Sequence, residues 1–138
     1  MKKIAFLLIA FLITSCSQDS ENYIQHLDGY WEIKQVKKDN KIIKEYTIST
    51  SVDFFKVNND MTGYRKKVAP NLNGKFMVTQ HESPFELKIE DNKLNIYYTV
   101  NNIEYKETIV SASEEELIIT NAEQVIYIYK SYQQIIIE

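Results

Sequence analysis

Apolar and polar residues alternate along most of this chain with a period of two. The clearest run is Lys93 to Val100, where Leu94, Ile96, Tyr98 and Val100 share one face and Lys93, Asn95, Tyr97 and Thr99 the other. Phe85, Leu87 and Ile89 alternate with Glu86, Lys88 and Glu90 in the same way. Such alternation predicts half-buried strands. Asp91-Asn92 separates these two runs, and both residue types tolerate positive φ, so the pattern predicts a two-residue hairpin. Asn101-Asn102 joins the second strand to Ile103–Val110, and Asp39-Asn40 joins Tyr30–Lys37 to Lys41–Ile48. Further strands are expected over Val52–Val57, Thr62–Val68, Lys75–Gln80, Glu116–Asn121 and Gln124–Tyr132. No good helical stretch stands out after the leader. Short strands at regular spacing with tight turns predict an all-β fold, an antiparallel up-and-down β-barrel of about 8–10 strands, whose closure removes sticky sheet edges.

The first residues follow a different pattern. Lys2 and Lys3 precede an unbroken apolar run from Ile4 to Ile13. That run is too short to cross a hydrocarbon core of about 30 Å, which needs about 20 helical residues, but it suits a secretory signal over residues 1–15. The only cysteine follows at once. Ile13-Thr14-Ser15-Cys16 resembles the lipobox of bacterial lipoproteins, in which the cysteine sulfur takes a diacylglycerol and becomes the new N-terminus after cleavage. No second cysteine exists for an intramolecular disulfide. The resemblance implies membrane attachment through Cys16, with each buried methylene contributing about 0.8 kcal/mol. Residues 16–26 read as the lipidated cysteine and a polar tether, Ser17 to Asn22 being acidic and aperiodic, and residues 27–138 as the barrel. Ser17 is not the aspartate that retains enteric lipoproteins in the inner membrane, so the outer membrane is expected.

Without residues 1–15 the chain has 14 basic against 19 acidic residues, which gives no support for nucleic-acid binding. The one basic cluster, Arg65-Lys66-Lys67, would alternate between faces and is expected at a solvated strand edge.

Leu27-Asp28-Gly29-Tyr30-Trp31 opens the first strand with Gly-x-Trp. Together with VDFFKVNNDMTGYRKK, PFELKIEDNKLNIYYTV and EEELIITNAEQVIYIYKSY, this resembles the lipocalin-like domain of small Bacteroidota envelope lipoproteins, over roughly Leu27 to Tyr132. The resemblance implies a lipid-anchored up-and-down barrel. True lipocalins also set a late arginine over the tryptophan, whereas here the only arginine is Arg65 and the nearest late cation is Lys130.

On this reading Trp31 plugs one end of the barrel and could also form the floor of a ligand cavity, with Tyr98 and Tyr105 around it. Glu107 shares a face with Ile103, Tyr105 and Ile109. Either its carboxylate points inward, or a bulge or a place near the barrel mouth leaves it in water; the second is preferred. His26 and His81 have no zinc-binding spacing, and there is no G-x-S-x-G elbow or phosphate loop. Enzyme is the least expected class, and no cofactor or metal is expected. A monomer binding a small apolar or amphipathic ligand is expected. The alternative is a protein-interaction module with a filled barrel and a functional loop at Ala69–Gly74.

Overall fold

The structure is a computed structural model that describes residues 18–47, 51–70, 76–78 and 82–132. Residues 1–17, with Cys16 among them, His81 and most of the Ala69–Gly74 loop lie outside the described residues. A helix, α1 (Gln18–Leu27), precedes ten strands: β1 (Gly29–Lys38), β2 (Lys41–Glu45), β3 (Val52–Val57), β4 (Thr62–Pro70), β5 (Phe76–Val78), β6 (Ser83–Glu90), β7 (Lys93–Val100), β8 (Ile103–Ala112), β9 (Glu116–Asn121) and β10 (Ile126–Ser131).

Every pairing is antiparallel, and β10 returns to pair with β1, which closes the sheet. The wall has eight positions. β2 and β3 pair with successive parts of β1 along one edge, and β5 and β6 do the same along β4. Each chain neighbour in the wall is also a spatial neighbour, so the barrel is an up-and-down meander.

The turns follow from local chemistry. Asp39-Asn40, Asp91-Asn92 and Asn101-Asn102 all hold φ between 50° and 65°, as two-residue turns matched to the strand twist require. The expected strand ends shift by one or two residues in most places. β2 stops at Glu45, short of the expected Ile48.

The polar segment expected to be a tether is helical instead. Ser20, Tyr23, Ile24 and Leu27 fall at i, i+3, i+4 and i+7, which puts them on one helix face. Leu27 is fully buried, Tyr23 and Ile24 pack against the barrel core, and the Ser20 hydroxyl donates to the Asn92 carbonyl at 2.7 Å. Asp19 and Glu21 in the first turn and His26 in the last suit the helix dipole. The helix covers the barrel end that carries the β6–β7 turn.

Gly29 ends the helix at φ 135°, a conformation side chains resist, and swings the chain into β1. That places Trp31 beneath α1, where its indole N–H donates to the Leu27 carbonyl at 2.9 Å. The Gly-x-Trp motif therefore joins cap to barrel. Gly63 is constrained in another way: a Cβ there would stand 2.7 Å from the Phe85 ring, which lies across it.

The inward side chains from this end form a packed core of Trp31, Phe55, Phe85, Leu94, Ile96, Leu117 and Ile119, each at most 5% exposed. The packing stops partway up. On the inner face of β7, exposure rises from Leu94 and Ile96 at 0% through Tyr98 at 6% to Val100 at 40%. On β8, Ile109 is 2% exposed and Ile103 is 55% exposed. Among the described residues, the lower half of the barrel is filled and the upper half is open.

Candidate functional site

The boundary between the two halves is built on Arg65. Alternation along β4 sends Arg65 inward between Gly63 and Lys67, opposite Phe55 of β3. Its guanidinium stacks on the Phe55 ring at 4.8 Å, which the apolar core below supports. Nη2 donates to Asp53 Oδ2 at 2.6 Å and to the Tyr129 hydroxyl at 2.8 Å. Nη1 donates to Glu107 Oε1 at 3.1 Å and to the Tyr98 hydroxyl at 3.3 Å. The Tyr98 hydroxyl thus shares Nη1 with Glu107, and the Tyr129 hydroxyl shares Nη2 with Asp53. Five strands thus meet at one planar cation. Only arginine, with a rigid fork of donors, can serve two carboxylates and two phenols at once.

The side chains of Arg65, Asp53 and Glu107 are 18%, 8% and 17% exposed. Burial works against the Arg65 charge, but the Tyr129 and Tyr98 oxygens, Asp53 and Glu107 outweigh it and raise its pKa above the ordinary value. Burial is also the main reason that the Tyr98 and Tyr129 phenols are pushed well above the usual tyrosine range, against the pull of Arg65. Among the described residues, no buried side-chain nitrogen or oxygen lacks a partner.

Above this network lies a cup of about 740 Å³. Arg65, Glu107 and Tyr98 form its floor, and Val100 and Tyr105 stand in its wall. Tyr98 and Tyr105 face each other across β7 and β8.

Several expectations change. The basic cluster is not a solvated edge: Arg65 points inward at the centre with 18% of its side chain exposed, Lys66 holds its ammonium over Phe54 and Tyr64 at the border of the cup, and Lys67 lines the cup. Glu107 is not turned outward by a bulge. The irregularity in β8 falls later, between Ile109 and Ser111, so inward alternation still holds at Glu107. Tyr98 and Tyr105 line the cup, and Trp31 does not. It is 3% exposed at the opposite end, beside a smaller depression of about 240 Å³. Lys130 is exposed and lies opposite Glu32 rather than over the tryptophan. Asp53 and Arg65 were missed. The available signals were that Arg65 is the only arginine beside fifteen lysines and that Asp53 shares strand parity with Phe55.

The raised phenols make alkaline behaviour a probe of the site. Outside the barrel, Tyr97 is pushed up to about 12 by the hydrogen bond it gives to Glu90. Folded chains keep these three phenolic protons at pH values where unfolded chains, with tyrosine near 10, release them. Stability is therefore full below about pH 10 and falls above it, by about 1.4 kcal/mol per pH unit for each buried phenol. Ultraviolet titration of tyrosinate should show a late-titrating group of tyrosines, which the Tyr98→Phe and Tyr129→Phe variants reduce. A single transition near pH 10 for all tyrosines, with the fold intact, would contradict the burial of these hydroxyls.

Comparison with known proteins agrees with the geometry. Residues 27–119 match the lipocalin-like domain family, from the end of α1 through most of β9. No curated protein and no solved structure matches the chain. The matched span contains the Gly-x-Trp junction, Asp53, Arg65, Tyr98 and Glu107; Tyr129 lies beyond it, on the strand that closes the ring. With most of its length inside that match and a closed antiparallel meander as its fold, the chain belongs to the lipocalin-like domain family.

Proposed function

We propose that this protein is a non-enzymatic binding lipoprotein of the cell envelope that holds a small amphipathic molecule in the cup above Arg65. The observation that carries the reading is the cup itself. Its volume of about 740 Å³ falls in the range of small-molecule sites, about 300–1,000 Å³. Its wall offers apolar and aromatic surface at Val100, Tyr98 and Tyr105, and its floor offers a fixed polar network. The protein-interaction alternative expects a filled barrel and a functional loop at Ala69–Gly74; that only the lower half is filled among the described residues favours the ligand reading.

The anchor reading rests on Lys2, Lys3, the apolar run and Cys16. Helix α1 begins two residues after Cys16 and covers the closed end of the barrel. On this reading the lipid leaves from the closed end, and the cup mouth opens at the far end, where the β7–β8 turn lies. The ligand then enters from the aqueous phase, and the outer membrane remains the favoured location.

Two measurements test the two parts. Titration with N-phenyl-1-naphthylamine, a neutral dye that brightens in apolar sites, should saturate at a single site, and Val100→Asp should abolish it. Val100 is 40% exposed, so that change removes apolar wall without opening the core. No saturable signal, or a signal indifferent to Val100→Asp, would contradict a ligand cup. Separately, Cys16→Ser should release the protein from membranes and remove acyl label. Retention of both would overturn the anchor.

A further inference from the structure

Donors and acceptors are unevenly left over at the floor of the cup. Each terminal nitrogen of Arg65 carries two N–H groups, and each makes two hydrogen bonds, so all four are engaged. The Tyr98 and Tyr129 oxygens accept two of these bonds, and Glu107 and Asp53 accept the other two. What remains is acceptor capacity, since a carboxylate has about four lone-pair sites. Two carboxylates also flank one guanidinium.

Glu107 is the carboxylate that reaches the cup. It lines the cavity and keeps 17% of its side chain exposed, whereas Asp53 keeps 8% and lies outside the lining. Other charges in the lining do not reverse this. Lys67, Lys106, Glu104 and Glu123 are exposed and mixed in sign, so water and salt weaken their pull. Lys66 also borders the cup, but its ammonium is held over the Phe54 and Tyr64 rings and 4.0 Å from Glu82. Charge at the floor is screened least, and therefore decides which end of a ligand goes down.

We infer that the cup selects ligands whose buried end is a cationic hydrogen-bond donor, a primary amine, set against Glu107 with the apolar part along Val100 and Tyr105. The inference rests on the ligand-cup reading and adds the polarity of the ligand. A carboxylate head at the same place would face Glu107 with no terminal Arg65 N–H left to receive it. A neutral hydroxyl could donate, but without the charge assistance that shortens and strengthens such bonds.

Calorimetric titration of the purified protein with octylamine, 1-octanol and octanoate separates the cases, because the three share one chain and differ in the head. Octylamine should bind tightest, by about tenfold or more over octanoate. In Glu107→Gln the preference for octylamine over octanol, read as the ratio within that one variant, should fall to about one, whereas a ratio unchanged from the parent overturns the inference. Equal binding of all three, or a preference for octanoate, overturns the inference and leaves the ligand cup standing. No saturable binding by any of the three removes the ligand cup, and the inference with it.

Discussion

A single guanidinium, placed inside a barrel among two carboxylates and two phenols, sets how the space in this protein is used. Arg65 needs all four partners because taking a charge out of water costs several kcal/mol unless paired groups replace the solvent. Those partners come from β3, β7, β8 and β10. The network therefore ties together strands far apart in sequence, and it can form only when the ring closes correctly. Below it the barrel behaves as an ordinary apolar core. Above it, inward positions meet solvent, and the wall becomes a cup.

The two ends of the barrel are consequently different objects. The closed end is made by α1, by the indole of Trp31 held on the Leu27 carbonyl, and by Ser20 held on the β6–β7 turn. Neither of these hydrogen bonds uses a charged side chain. The open end keeps a polar floor that packing alone would not select. Replacing such a buried ionic group with apolar residues of similar size is often neutral or stabilising. Its presence under a cavity therefore fits binding better than stability, and its geometry determines what the floor can accept.

Much of the fold is legible in the sequence because its causes are local. Three Asp/Asn pairs supply the backbone conformation of three hairpins, and period-two alternation orients most inward residues, Glu107 included. The helix escaped this reading. Its buried face has only Tyr23, Ile24 and Leu27 as apolar members, with Ser20 as the fourth, in a segment whose composition resembles a linker. The centre of the site escaped for another reason. Arg65 lies in a run of three cations, where an exposed strand edge is the ordinary outcome, and what overrides that outcome is register. Asp53 is 12 residues away, Glu107 42 and Tyr129 64, and closure of the barrel is what brings them together. Trp31 was readable as a plug for one end, but which end stays open depends on where α1 docks.

The central claim is that Arg65 is the charge that makes its carboxylate neighbours tolerable inside the barrel. Urea unfolding of Arg65→Met, compared with the triple variant Arg65→Met/Asp53→Leu/Glu107→Leu, tests it most directly. Removing the cation alone leaves two buried carboxylates without their partner and should cost about 3–5 kcal/mol, whereas removing all three charges should recover most of that loss. An Arg65→Met protein within about 1 kcal/mol of the parent, or a triple variant no more stable than Arg65→Met, would contradict it.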